Sequence, residues 1–345
     1  MIWALAPMDG ITNCATRTYI SELFNKFHTK KDKKLWLFTE FMSAEWYQHN
    51  PKRLIHHLIT STTQKNIIAQ IYWADEDALL KTALDIDRHF WFFDWIELNI
   101  WCPSPKVMAC WAGAGMLRNK NKTLQIIKNL SNSVSKPFSI KTRCGLTYED
   151  MQAQKEFIIA CGKYCKTITI HGRTYWQSHS WNVNREFIYD IKKNLPDVKV
   201  IWNGWISWYE DGEGKLRNLD GVMFWQSAMM NPRIMTWYLP TITERKEWLL
   251  RHLDLSVAHE IYETYWLPHV DQQNIEDTIL QWFDPKDYHS VVEFRKHLFW
   301  WVSWLIWNKE FKQKAASIRQ YDDIKNLIEE YFDVLTKRNE NLVLS

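Results

Sequence analysis

The chain has 345 residues, 46% of them hydrophobic and 24% charged, and a formal net charge of +3. That is enough apolar material for one large domain of barrel size plus a smaller one, and it excludes a disordered or fibrous chain. The mild positive charge permits a polyanionic partner without demanding one. Cys14, Cys102, Cys110, Cys144, Cys161 and Cys165 are scattered and form no pair of C-x-x-C knuckles, so reduced thiols in a cytoplasmic protein and no metal site are expected. The sequence opens on an apolar strand with no basic n-region and no long apolar h-region, so no signal peptide is expected. The longest apolar run, Leu298 to Trp307, is broken by Ser303 and too short to span a membrane.

One count is out of line. The chain holds 22 tryptophans and only 10 glycines, whereas average usage gives about 7% glycine, roughly two dozen in a chain of this length. The turn-like stretches Trp202-Asn203-Gly204-Trp205-Ile206-Ser207-Trp208, Tyr175 to Trp181 and Phe224-Trp225-Gln226 carry indoles where glycine would supply positive φ and close backbone approach. The expectation is a reassigned codon meaning glycine that has been written as tryptophan. A protein genuinely rich in tryptophan is the alternative, and ordinary tryptophan codons at Trp101, Trp205 and Trp225 would establish it.

Taken in chain order, eight short apolar runs read as strands: Ile2 to Ala6, Leu35 to Thr39, Ile67 to Ile71, Trp95 to Asn99, Phe138 to Thr142, Thr167 to Ile170, Val198 to Trp202 and Gly221 to Phe224. Between them lie stretches long enough for crossover helices, among them Asp75 to His89, Lys122 to Ser133, Tyr148 to Lys163 and Asn184 to Asn194. Strands alternating with helices imply a parallel sheet, and eight of them imply a (β/α)₈ TIM barrel. A doubly wound open sheet would show a glycine-rich dinucleotide turn after its first strand, and Ala6-Pro7-Met8-Asp9-Gly10 is not one. From about Glu244 only helical stretches follow: Glu244 to Tyr265, Asn274 to Trp282, Tyr288 to Trp304 and Tyr321 to Leu335. The domains expected are a barrel over residues 1–240, a smaller all-helical C-terminal domain over 244–335 and a tail over 336–345.

In such a barrel the active site is built at the carboxyl ends of the strands. Those ends are polar here: Pro7-Met8, Glu40, Gln70, Asn99 with Cys102, Lys141-Thr142-Arg143, His171-Gly172-Arg173, Asn203-Gly204 and Trp225-Gln226. Such a mouth could bind a flat heteroaromatic with several carbonyl and ring-nitrogen acceptors, such as a flavin. The most informative end is the fourth, where Asn99-Ile100-Trp101-Cys102-Pro103 leads to Val107 and the small-residue run Ala112-Gly113-Ala114-Gly115. Proline after Cys102 biases the cysteine away from helical geometry and places one thiol on a strand-exit loop, where chemistry is commonly carried.

At this motif the chain resembles the tRNA-dihydrouridine synthases, flavoenzymes whose strand-exit motif reads roughly N-x-G-C-P-x-x-x-V and then G-A-G-A. Only the glycine before the cysteine is missing. The resemblance runs on through Ala6 to Gly10, Gln70, Lys141-Thr142-Arg143, His171-Gly172-Arg173-Thr174, Asn203-Gly204, Asn231-Pro232 and the C-terminal helices. It implies that Pro7, Met8, Asp9, Gln70, Lys141, His171, Asn203, Gly204, Trp205, Trp225 and Gln226 contact FMN. The family has Asn-Gly-Gly or Asn-Gly-Asp after strand seven and Gly-Arg after strand eight, so literal indoles at 205 and 225 would obstruct the phosphate site. Asn99, Lys106 and Arg173 would touch the substrate. Arg295, Lys296 and His297, followed by Leu298-Phe299-Trp300-Trp301, resemble the part of the family that grips tRNA.

The implied reaction is reduction of uracil at its 5,6 double bond, with hydride from reduced FMN to C6, a proton from Cys102 to C5, and NAD(P)H restoring the flavin. A thiol near its ordinary pKa of about 8.5 is mostly protonated at neutral pH and can serve as a general acid. Two other readings stand beside this one: an FMN barrel oxidoreductase acting on a free small molecule, and a non-catalytic RNA-binding relative whose tryptophans close the flavin site. A monomer, without metal or membrane attachment, completes the expectation.

Overall fold

The structure is a computed structural model that describes residues 1–28, 32–177, 182–236, 238, 240–264, 269–270, 288–303 and 305–337. The expected helix Asn274 to Trp282 and residues 338–345 of the expected tail lie outside the described residues. Eight parallel strands form the barrel: β1 (Ile2–Leu5), β2 (Lys34–Phe38), β3 (Ile67–Tyr72), β4 (Trp95–Ile100), β5 (Phe138–Arg143), β6 (Thr167–His171), β7 (Lys199–Asn203) and β8 (Gly221–Phe224), with the two-residue strand Met42–Ser43 added alongside β3. Each pairs with its neighbour in sequence, β8 returns to β1, and β2 pairs with β3 through Leu37–Ile67, so the sheet closes on itself. This is the eight-stranded parallel barrel that the β/α alternation implies, and it is followed by C-terminal helices.

The crossover helices begin where short polar side chains can satisfy a free backbone N–H. Asn13 accepts from Thr16 N at the start of α1 (Cys14–Phe27), and Asp75 accepts from Ala78 N at α2 (Glu76–His89). Asn119 caps α3 (Lys120–Ser133) and Asn184 caps α5 (Arg185–Asn194) in the same way, while α4 (Met151–Cys161) and α6 (Tyr209–Leu216) complete the set. The strands alternate in a way that matters for function. In Thr167-Ile168-Thr169-Ile170-His171 and Ser139-Ile140-Lys141-Thr142-Arg143 one face is polar and the other is largely apolar. Thr142 on the second face of β5 accepts a hydrogen bond from Gln154 of α4, so the helices cover that face. The side chains of Lys141, Arg143 and His171 point the other way, into the barrel.

The chain divides into two compact units: Met1–Asp9, Lys30–Leu58 and Lys65–Trp225 form one, and Gly10–Thr29, Ile59–Gln64 and Gln226–Ser345 form the other. The second unit holds α1 with α7 (Ile242–Thr264), α8 (His289–Trp301), α9 (Asn308–Ala315) and α10 (Tyr321–Lys337). α7 is its centre and packs on α1, α8 and α10. Leu249, Leu253 and Val257 of α7 are fully buried, as are Phe332 of α10 and Leu298 of α8. Among the described residues no helix is long and apolar enough to cross a membrane, and no cluster of His, Cys, Asp and Glu could hold a metal ion.

Candidate active site

The mouth of the barrel is assembled by strand register. Gln70 on β3 lies opposite Glu97 on β4, Asn99 opposite Lys141 on β5, and His171 on β6 is flanked by Arg143 and by Asn203 on β7. All seven are buried. Burial without partners would be costly, and most of them are hydrogen-bonded to one another. Gln70 Nε2 donates to Glu97 Oε1 at 2.6 Å, and Asn99 Nδ2 donates to Gln70 Oε1 at 3.0 Å. Asn99 Oδ1 then accepts the backbone N–H of Trp101 (3.1 Å) and of Cys102 (3.0 Å). Lys141 Nζ donates to Asn203 Oδ1 at 3.1 Å, and Asn203 Nδ2 donates to the Met223 carbonyl at 3.1 Å. Because Lys141 reaches over β6 to β7, these groups share the inside of the barrel.

Cys102 sits on the loop that leaves β4, as the following proline requires. Four features hold it there. Asn99 takes its N–H, Ala114 N donates to its carbonyl at 3.1 Å, and Arg143 Nε donates to the neighbouring Trp101 carbonyl at 2.9 Å. The fourth is Gly113, with φ +55, where a Cβ would come within 2.9 Å of the Cys102 carbonyl oxygen; only glycine lets the small-residue run close on this loop. The thiol packs with Val107 and Ala112 against Phe41, Tyr72 and Trp73. Burial therefore raises its pKa, against smaller lowering effects from the Ser104 backbone N–H and from Arg143 and Lys141. The thiol stays protonated at neutral pH, which suits an acid and not a nucleophile.

The neighbouring charges are also weakened by burial. The Glu97 carboxyl is pushed up to about 7, held back by the Gln70 hydrogen bond and by Lys141. Lys141 is driven well below the usual lysine range by the same desolvation, with Glu97 opposing that and Arg143 adding to it. Glu97 and Arg143 are two residues of this buried set that reading strand ends passes over or underweights. Glu97 is two residues inside the strand, and its signal is a lone acid in the apolar run Trp95-Ile96-Glu97-Leu98. Arg143 was visible at the end of β5, but its reach to the Cys102 loop depends on tertiary structure.

The other expected site residues fall into three groups. Pro7 and Met8 are buried at the end of β1 and Asp9 is exposed; Gly204 is buried, Trp205 is exposed and Trp225 is partly buried. Lys106 is exposed on the short helix Pro105–Ala109, and Arg173 is buried with its guanidinium 5.6 Å from the Trp205 ring. Gln226 is exposed at the start of the short helix Gln226–Met230. In the helical unit Lys296 is exposed and pairs with Glu293, and Arg295 donates to the Ala316 carbonyl. His297 is 4% exposed, with a pKa pushed down to about 3 by burial, so it presents a neutral ring to Thr16 and not a charge to a phosphate.

The family model of dihydrouridine synthase (Dus) matches residues 4–336. This chain belongs to the Dus family. Among similar proteins is a tRNA-dihydrouridine(20/20a) synthase of Synechocystis sp., 28% identical over 282 residues that cover 78% of each chain. The enzyme of the same description from Escherichia coli (strain K12) is 32% identical over 247 residues, 68% of this chain and 67% of that one. A Sulfolobus 2-keto-3-deoxygluconate aldolase in complex with D-KDPG superposes with a TM-score of 0.39 at 13% identity, covering 81% of this chain and 94% of that one.

Dus enzymes are generally FMN-dependent, and the donor set at this mouth is of the right chemistry: amides, an imidazole and a lysine on one buried face. The volume is the difficulty. The Trp101 indole lies with its ring centroid 3.2 Å from Lys141 Nζ, stacked on His171 at 6.0 Å and 21°, and edge-on to Trp225 at 6.4 Å. It is 6% exposed, and its buried N–H has no hydrogen-bond partner among the described residues. Lys141 and His171, two of the groups expected to face a flavin, face this indole instead. With tryptophan at 101 the residues do not accommodate FMN.

Proposed function

We propose that the barrel mouth is the catalytic centre of a tRNA-dihydrouridine synthase, an oxidoreductase that saturates the 5,6 double bond of uracil, and that Cys102 is its proton donor. What supports the role of Cys102 is its setting: a buried, protonated thiol on the strand-exit loop, its backbone fixed by Asn99 and its loop by Arg143 and Gly113. In this reading Asn99, Gln70 and Glu97 position the thiol. With a hydride supplied to C6 by the reductant, protonated Cys102 would deliver its proton to C5 of the uracil, and the resulting thiolate would be steadied by Arg143 and Lys141, whose charge already lowers its pKa. The polar groups Gln70, Lys141, His171 and Asn203, with Gly204 and the ends of β1 and β8, form the cradle for FMN, and NAD(P)H is the reductant. That cradle requires position 101 to be free of the indole.

Lys106 and Arg173 are proposed to meet the RNA at the barrel, and Arg295 and Lys296 to meet it on the helical unit. The uridine must leave its stack to reach a buried thiol, as in other base-modifying enzymes. A cytoplasmic monomer that needs no metal is part of the same proposal. The test is mass mapping of dihydrouridine in tRNA incubated with the protein, FMN and NADPH. Loss of uridine at one defined tRNA position, with a gain of two hydrogens there, is the expected result. Activity on free uracil but not on tRNA would assign the barrel to a small-molecule substrate instead.

A further inference from the structure

We propose that positions 101, 111, 205 and 307 carry glycine in the functional protein, and that the indole at 101 keeps the chain as written from holding its flavin. The inference deepens the reading of the site as flavin-dependent and rests on it. It is carried by backbone conformation, which is independent of composition. Among the described residues five that are not glycine have positive φ, and three of them are tryptophan: Trp111 at 58°, Trp205 at 46° and Trp307 at 53°. The left-handed region suits glycine and tolerates asparagine; for a bulky side chain it is an outlier. Three such outliers fall on the one residue type that is already in excess, and all three side chains are exposed. Trp111 is 56% exposed, Trp205 67% and Trp307 41%, and the guanidinium contacts of Arg118 with Trp111 and Arg173 with Trp205 are of a kind that is weak at exposed sites.

Each position is also one where glycine has a local use. Trp307 is the N-cap of α9, where glycine is among the preferred residues and large apolar ones are not. Trp205 follows Gly204, itself at φ 115°, so the turn after β7 needs two successive residues of positive φ. That turn belongs to the region where barrels commonly bind phosphate with backbone N–H groups. Position 101 is marked differently, by a buried indole whose N–H is unsatisfied and which stands over Lys141 and against His171. A glycine there removes those ring atoms and leaves the peptide that Asn99 and Arg143 hold, because their bonds are to backbone atoms.

Peptide mass spectrometry of the protein isolated from its native source reads these positions directly. Glycine at 101, 111, 205 and 307 is expected, and tryptophan at any of them overturns the assignment for that position. The claim about 101 is tested by titrating FMN into two recombinant proteins, one as written and one carrying Trp101→Gly, Trp111→Gly, Trp205→Gly and Trp307→Gly, with flavin fluorescence as the readout. Relief of overpacking predicts tighter binding by the glycine protein, by about ten- to hundred-fold. Equal affinities overturn it. Trp101→Ala in the chain as written removes the ring with a single change and should recover part of the same gain if the fourfold variant fails to fold; no gain on either variant also overturns it. If the glycine protein binds FMN but leaves tRNA uridine unreduced, the proposed function fails while this inference stands.

Discussion

Two regions bury polar side chains on a large scale, and they do so to different ends. Inside the barrel Gln70, Glu97 and Asn99 form a hydrogen-bonded series that finishes on the backbone N–H of Cys102. In the helical unit His252, His259 and His297 are buried too, but they terminate on packing. His252 stacks on Tyr19 at 5.0 Å and meets His297 edge-on at 4.7 Å, and both rings lie near the single hydroxyl of Thr16. Desolvation weakens charge in both places: it raises Glu97 to about 7, lowers His259 and His297 to about 3, and pushes His252 well below the usual histidine range. Burial alone therefore does not mark a functional group. What distinguishes the barrel is that its series ends on the loop of Cys102, the thiol proposed as proton donor.

The comparison breaks most sharply at Cys102. Cys102→Ala is expected to lower dihydrouridine formation by about 10²–10⁴-fold, the usual contribution of a general acid, with tRNA affinity unchanged. Near-normal turnover in a single-turnover assay would leave the barrel series directed at nothing. Glu97 comes next. Glu97→Ala deprives the buried Gln70 amide of its acceptor and should cost about 1–3 kcal/mol in chemical denaturation, whereas Glu97→Gln keeps an acceptor and should recover most of it. Equal losses in the two variants would show that the carboxylate is wanted for charge and not for orientation.

Glu97 and the three buried histidines should also respond to pH with opposite sign. Glu97 has a folded pKa above its unfolded value, so its contribution is complete below about 4.5 and is lost as pH rises to about 7. The three histidines have folded values below the unfolded value of 6.5, so their contribution is present above pH 6.5 and is lost as pH falls. Hydrogen exchange should show α7 and α8 opening more readily on acidification from pH 7 to 5, while strands β3 and β4 become better protected. Parallel changes in both would refute the separation. The smallest effect expected is at the surface. Arg295→Ala and Lys296→Ala should each weaken tRNA binding and lower the slope of log affinity against log salt by about one, provided each contacts a phosphate. His297→Ala should leave that slope alone, since its ring is neutral and buried.

How much of this was open to a reader of the sequence depends on the range over which each signal acts. The capping residues Asp75, Asn119 and Asn184 are local, and so the starts of the helices read at Asp75, Lys122 and Asn184 were legible to within a few residues, whereas the helix that Asn13 caps was not among those read. Alternation of apolar and polar residues in β5 and β6 is local as well. The thiol at a strand exit followed from one proline. His297 shows where local reading stops: beside Arg295 and Lys296 it reads as a third basic residue, and only the packing of α8 in the helical unit turned it inward. Trp101 is a mixed case, because composition flagged the tryptophans as a class while the structure identified which of them stand at glycine-like φ and which one fills the barrel mouth.

By itself, then, the sequence determined the eight-fold β/α repeat, the helical stretches that follow it, and the place of Cys102 on a strand-exit loop, since each of these rests on residues within a turn or a strand of one another. Closure of the barrel decided the rest. It brought Glu97 under Gln70, carried Lys141 across β6 to Asn203, and set Arg143 against the Cys102 loop. These pairings join residues from 27 to 62 positions apart in the chain, and they are fixed by strand register, which forms only when the whole sheet has closed and the buried charges must find one another.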